Sequence, residues 1–265
     1  MSKLVFITGA TDGIGLESCK KFASENYDLI IHGRSLKKIE FTKDLILKLY
    51  PNTKIDSVEA DFSDMKQVKA MVDKILQKYD KLDILVNNAG IFVTNETKTI
   101  DNLELRFVVN TIAPYYIAKE LTKIMDNSSR IINLSSAAQA PVDINNILKY
   151  QNISHDAAYA QSKLALTMWS IEMGLENKNN NGPIVIALNP KSFLGSKMVK
   201  TAYNTDGYDI RIGSDKIYDL AVLDEFRNAS GMYYDNDIVA FSNPHPDAMD
   251  RNKRIGVVEA IEKLI

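Results

Sequence analysis

Along this chain, short and nearly unbroken apolar runs alternate with longer stretches whose apolar positions recur at helical spacing. Residues 4–8 form one such run, followed by a glycine-bearing turn and a predicted helix over about 14–26. Residues 29–32 predict a second strand, and 36–50 its helix, ended by Pro51. Residues 55–60, 84–86, 130–134 and 184–188 read as further strands. Between them, 65–79, 103–124 (with Pro114 inside it) and 157–175 carry the helical period. Strands that are apolar throughout, alternating with amphipathic helices, predict a parallel sheet covered on both faces. Right-handed crossovers then lead to a doubly wound α/β fold, with ligands at the carboxyl ends of the strands.

No composition break marks a linker and no repeat is present, so residues 1–265 are expected to form one domain. Residues 177–181 are polar and of low complexity and read as a surface loop. After Pro190 the alternation fades. Residues 191–213, rich in Lys, Tyr, Ser and Thr, suit a mobile cover, with a substrate-covering segment expected over about 191–230. A last strand is expected near 231–234 and a terminal helix over 257–264.

Composition changes this picture little. A 45% hydrophobic and 25% charged chain is an ordinary globular one, and a formal net charge of -2 argues against nucleic acid as a partner. The single cysteine, Cys19, excludes an intrachain disulfide and suits a reducing compartment. With no secretory pattern at the start and no long apolar run, a cytoplasmic protein without a membrane span is expected. His32, His155 and His245 lack metal-ligand spacing, so no metal is expected.

Candidate chemistry starts at the end of the first strand. Thr8-Gly9-Ala10-Thr11-Asp12-Gly13-Ile14-Gly15 is a glycine turn that opens a helix, the context in which backbone amides and a helix N-terminus receive a pyrophosphate. The second strand ends in Gly33-Arg34-Ser35 without an acid to bind a free ribose hydroxyl. Arg34, assisted by Ser35 and Lys37, suits a 2′-phosphate, so NADP(H) is favoured over NAD. Tyr159 and Lys163 lie four apart and share one helix face, where a cation favours the phenolate for acid–base work.

The glycine turn, Asn87-Asn88-Ala89-Gly90 after strand four, Ser135-Ser136 after strand five and Tyr159-Ala160-Gln161-Ser162-Lys163 follow one another in this order. This sequence of motifs resembles the short-chain dehydrogenase/reductase family, strongly over residues 3–200 and loosely beyond. The resemblance implies a Rossmann fold and hydride exchange between a nicotinamide and a carbonyl or alcohol. It implies a catalytic set of Asn110, Ser136 (with Ser135 as the alternative), Tyr159 and Lys163. For the cofactor it implies Gly9, Thr11, Gly13, Ile14, Gly15, Arg34, Ser35, Asp61, Phe62, Asn88, Ala89, Gly90, Pro190 and Ser196, together with Tyr159 and Lys163. It also implies a homodimer or homotetramer paired through the two long helices.

Two departures stand out. The interval between Ser136 and Tyr159 is long and contains residues 141–155, as in the retinol dehydrogenase branch. Asn189-Pro190-Lys191 stands where the family generally has Pro-Gly, which puts a cation near the nicotinamide end of the site. Other readings are a catalytically silent NADP-binding regulator or scaffold and, ranked low, a sugar-nucleotide epimerase. The complete Asn110, Ser136, Tyr159 and Lys163 set argues against a pure binder, which needs no proton relay.

Overall fold

The computed structural model describes residues 2–265; Met1, which the expected domain includes, lies outside the described residues. Eight strands form one sheet in the order β3-β2-β1-β4-β5-β6-β7-β8. They are β1 (Leu4–Ile7), β2 (Asp28–Gly33), β3 (Ile55–Glu59), β4 (Ile84–Asn87), β5 (Arg130–Leu134), β6 (Ile184–Asn189), β7 (Met232–Asp235) and β8 (Ala240–Ser242). All neighbours are parallel except β7 and β8, which pair antiparallel. This is the doubly wound Rossmann arrangement, and the order reverses direction at β1 and β4.

Side chains of the central strands alternate between two cores. Phe6, Ile30, Leu85, Ile131 and Val185 face one, while Val5, Ile7, Leu29, Ile31, Val86, Ile132 and Ile186 face the other. The second core is closed by α1 (Gly13–Ser24), α2 (Leu36–Leu49) and α9 (Arg211–Val222). The first is closed by α3 (Met65–Lys78), α5 (Ala113–Leu121), α7 (His155–Asn180) and the terminal α11 (Arg251–Glu262). Because β1, β2, β4, β5 and β6 each contribute to both cores, none of these five shows the apolar–polar alternation of a half-exposed sheet.

The expected helix over 103–124 is broken into pieces: α4 (Leu105–Phe107), a π-helical turn (Val108–Ile112), α5 and a 3-10 turn (Thr122–Ile124). Pro114 supplies the reason. It has no N–H to give the carbonyl of Asn110, and the Ala113 N–H bonds instead to Val108. A short α6 (Ile144–Leu148) lies in the long interval before α7. Residues 177–181 are not a loop: α7 runs to Asn180, with Asn181 as a left-handed cap and the Asn177 amide donating to Pro183 O at 3.0 Å.

Helix α7 is buried without interruption from Ser162 to Ile171. Sheet strands flank one side of it and α11 packs along another. Arg254 of α11 donates to Glu172 at 2.8 Å, and Glu262 accepts from Lys119 and Tyr115 of α5. Tyr115 in turn meets the fully buried Trp169 edge to face. Beyond β6, the expected cover contains α8 (Lys197–Tyr203) and leads into α9; α10 (Pro246–Met249) precedes α11.

Candidate active site

The glycine turn sits at the carboxyl end of β1, where β1 and β4 diverge. Gly13 has φ +56°, a conformation that favours glycine. Gly15 is required by proximity: a Cβ there would meet Gly9 O at 2.2 Å and Asn88 Nδ2 at 2.5 Å. The Asn88 side chain closes the turn from the β4 side, donating to Thr8 O at 2.8 Å and Gly9 O at 3.0 Å. Thr8 Oγ1 reciprocates by accepting from the Asn88 and Ala89 amides, each at 3.0 Å. Ile14 packs against the second core, near Gly213 of α9. A cradle this tight leaves room for a ligand's phosphates against bare backbone, so it fits a dinucleotide.

His32 supports the cradle from β2, a role its spacing alone did not reveal. Its Nδ1 accepts from Gly9 N at 3.1 Å and its Nε2 bonds Ala60 O at 3.0 Å, which requires the Nε2–H tautomer. The ring stacks on Phe62 with centroids 4.2 Å apart. Burial pushes its pKa down to about 4, so it is a neutral structural member. Asp61, beside Phe62, accepts from Ser63 N at 2.9 Å. Thr11 packs against Gly33, where a Cβ would approach Thr11 Cγ2 to 2.7 Å.

Arg34 follows β2 and is exposed, with no hydrogen bond or ion pair of its side chain among the described residues. Ser35 is the N-cap of α2, and its hydroxyl makes no cap bond. Sequence reading missed a carboxylate that arrives here from β3: Glu59 accepts from Leu36 N at 3.1 Å. Only the sheet register, which pairs Gly33 with Glu59, brings it to this place.

The four expected catalytic side chains converge beside the ends of β4 and β5. Asn110, buried in the π-helical turn, accepts from Ile91 N at 2.8 Å and donates to Ile91 O at 2.9 Å and Ser162 Oγ at 3.0 Å. Lys163 is buried, and its ammonium donates to Leu134 O at 2.6 Å. Burial lowers its pKa to about 8. Gly90 lies between them, since a Cβ on it would meet Asn110 Oδ1 at 3.4 Å and Lys163 Nζ at 3.5 Å.

The two serines separate clearly. Ser135 is buried and shares a 2.6 Å hydrogen bond with Thr167 of α7, whereas the Ser136 hydroxyl accepts from Ala138 N at 3.1 Å and lies beside Tyr159. Desolvation holds the Tyr159 phenol above its ordinary value, while the neighbouring Ser136 side chain pulls it down. Lys163 is not among the groups that shift this phenol here. Its ammonium is committed to the Leu134 carbonyl and lies 5.7 Å from the centre of the Tyr159 ring.

Apolar walls extend outward from Tyr159. Its ring lies 4.5 Å from that of Phe92, which lies 6.1 Å from Tyr203, which lies 5.3 Å from Phe193. An open cavity of about 510 Å³ continues over Phe193, Tyr203, Thr205, Gly207 and Tyr208. Phe92 was not singled out in the sequence, although its place two residues after Gly90 was a usable signal.

Lys191 does not stand free. Its backbone has φ +117°, a conformation that favours glycine. Its ammonium lies 4.0 Å from Asp237 and 5.2 Å from the centre of the Tyr208 ring. The preceding Pro190 carbonyl accepts from Asn236 at 3.0 Å, so the hairpin of β7 and β8 holds this loop. Ser196 caps α8, accepting from Val199 N at 3.2 Å. Cys19 is fully buried with its thiol pushed far up, which leaves it a small hydrophobe.

The family model for short chain dehydrogenase matches residues 3–206. The chain belongs to the short-chain dehydrogenase family. It is 34% identical over 171 residues to the short-chain dehydrogenase TIC 32 A, chloroplastic, of Brassica napus, covering 60% of this chain and 53% of that one. The match thus spans about half the length of that relative. Retinol dehydrogenase 13 of Mus musculus is 29% identical over 269 residues, covering 94% of this chain and 79% of the mouse protein. Among solved structures, an uncharacterized protein from Mycobacterium paratuberculosis superposes with a TM-score of 0.80 at 19% identity, covering 99% and 92% of the two chains. An NADPH-dependent reductase involved in bacilysin biosynthesis superposes with a TM-score of 0.71 at 22% identity, covering 91% and 99%. These structural likenesses are ones of fold. No helix among the described residues is long and apolar enough to cross a membrane.

Proposed function

We propose that this chain is an NADP(H)-dependent oxidoreductase acting on a carbonyl or alcohol group, working as one domain with a covering segment at about 191–230. The observation that carries this reading is the convergence of Ser136, Tyr159 and Lys163 beside a glycine cradle that fits dinucleotide phosphates. A nicotinamide held in this cradle would supply the hydride chemistry at the substrate carbon. The chain handles the proton. Tyr159 gives it to the carbonyl oxygen in reduction and takes it back in oxidation, and Ser136 orients that oxygen by hydrogen bonding. A phenol raised by burial is protonated at neutral pH, the form in which it serves as the acid.

Lys163 keeps a positive charge close to Tyr159 and supplies donors for a ribose hydroxyl. Asn110 fixes the helix geometry through Ile91 and Ser162, with the carbonyl that Pro114 leaves without an α-helical donor available to a water relay. Gly9, Thr11, Gly13, Ile14 and Gly15 would hold the phosphates, Asp61 and Phe62 the adenine side, and Asn88, Ala89, Gly90, Pro190 and Ser196 the nicotinamide side. The unpaired Arg34, with Ser35 beside it, supports the choice of NADP(H). The aromatic walls from Phe92 to Phe193 favour a substrate with an apolar body.

The test is the dissociation constant for NADPH and NADH, measured side by side by fluorescence titration. The expected result is tighter NADPH binding, with the preference collapsing in Arg34→Ala and aldehydes or ketones oxidising the bound NADPH. Binding of neither nucleotide overturns the proposal.

A further inference from the structure

Asp12 and Lys197 meet across the mouth of the glycine turn. Asp12 is the N-cap of α1; one carboxylate oxygen accepts from Gly13 N at 2.8 Å, and the other lies 2.6 Å from the Lys197 ammonium. Lys197 opens α8, within the covering segment. The cover touches the turn at this point, because a Cβ on Gly13 would meet Ile210 Cδ1 at 3.6 Å and Ser196 Cβ at 4.0 Å. The carboxylate raises the lysine's pKa, so the ammonium stays charged.

This arrangement is paradoxical for a dinucleotide site. The N-terminus of α1 is where free amides and the helix dipole favour a phosphate, yet Asp12 places a carboxylate beside that position. Two neighbouring anions repel, and among the described residues Lys197 is the cation paired with Asp12. A lysine ammonium on a flexible stem has three donors, enough to face a carboxylate and a phosphate together.

We propose that Lys197 is a further phosphate ligand of the dinucleotide site, carried by the cover and held on Asp12 until the nucleotide arrives. The inference rests on the reading of the turn as a dinucleotide cradle. With a nucleotide bound, the ammonium would share its donors between the carboxylate and the pyrophosphate. Asp12 then acts as a built-in competitor: it keeps the lysine in place and weakens the grip on the ligand.

The two partners of this one ion pair therefore act in opposite directions. A simple fastening between cover and turn makes the contrary prediction, because losing either partner loosens the same contact. NADPH titration of the wild type, Lys197→Met and Asp12→Asn decides between them. Asparagine keeps the helix cap while removing the charge. Lys197→Met is expected to weaken NADPH binding about tenfold, the size of one charge-assisted hydrogen bond. Asp12→Asn is expected to tighten it about threefold or more, as relief of one exposed like-charge contact. Adenosine 2′-monophosphate, which lacks the pyrophosphate, should bind wild type and Lys197→Met alike. Shifts in the same direction, or no shift in either variant, overturn the inference while leaving NADPH binding by the wild type intact. A wild type that binds neither NADPH nor NADH sinks the parent reading as well.

Discussion

Arg106 donates to Nδ1 of His155, and each of the two stands four residues before a member of the candidate catalytic set: Arg106 before Asn110, His155 before Tyr159. The guanidinium is fully buried and also pairs with the fully buried Glu104, whose carboxylate caps α4 through the Arg106 and Phe107 amides. The bridge thus ties the start of α7 to the helix that carries Asn110, one turn below the site. Arg106→Met is expected to cost about 3 to 5 kcal/mol, because Glu104 is left as an unpaired buried charge. Urea denaturation should show that loss and its partial recovery in the Glu104→Gln, Arg106→Met double variant.

Acid should act through His32. Its folded pKa of about 4 lies below the ordinary 6.5, so between those values the unfolded chain binds more protons and stability rises with pH. Read downward, the native state loses about 3 kcal/mol between pH 6.5 and 4 from this group. In His32→Gln that part of the acid sensitivity should disappear from melting curves taken across the window. An unchanged profile would contradict a neutral buried ring.

Lys191→Gly should stabilise the fold. Glycine accepts φ +117° without strain, and relief of such a conformation amounts to about 1 kcal/mol or more. The distant contacts of the ammonium to Asp237 and Tyr208 are too weak to offset it. A lower melting temperature in the glycine variant would show that those contacts dominate.

Tyr159→Phe separates an enzyme from a silent binder. Removal of a general acid is expected to cut NADPH-dependent carbonyl reduction by about 10² to 10⁴-fold. NADPH affinity, measured by the same titration as above, should stay within about twofold, since the ring still packs on Phe92. Retained turnover would remove Tyr159 from the mechanism.

The central sheet was legible because burial on both faces demands near-continuous apolar strands, as in residues 29–32 and 184–188. Local chemistry also showed in Gly15, where only the smallest residue avoids Gly9 O. What escaped depends on contacts between distant segments. The π-helical turn at Asn110 needed Pro114 to be weighed against a strong helical period, and the period won. Helix α8 and strand β8 are short, so no run announced them, whereas α9 carries Ile217, Leu220 and Ala221 at helical spacing, a signal that could have been read. The placing of Glu59 near Arg34, of Asp237 near Lys191 and of His155 near Arg106 is a product of register and packing, which no spacing encodes.

The last helix carries a consequence for assembly. Because α11 lies along α7 and ties itself to Glu172, Lys119 and Tyr115, the long helix that bears Tyr159 and Lys163 is already wrapped by its own chain. A second copy approaching from that side touches α11 before it touches α7. The outer face of residues 251–262, not that of α7, is therefore what the chain presents on this side.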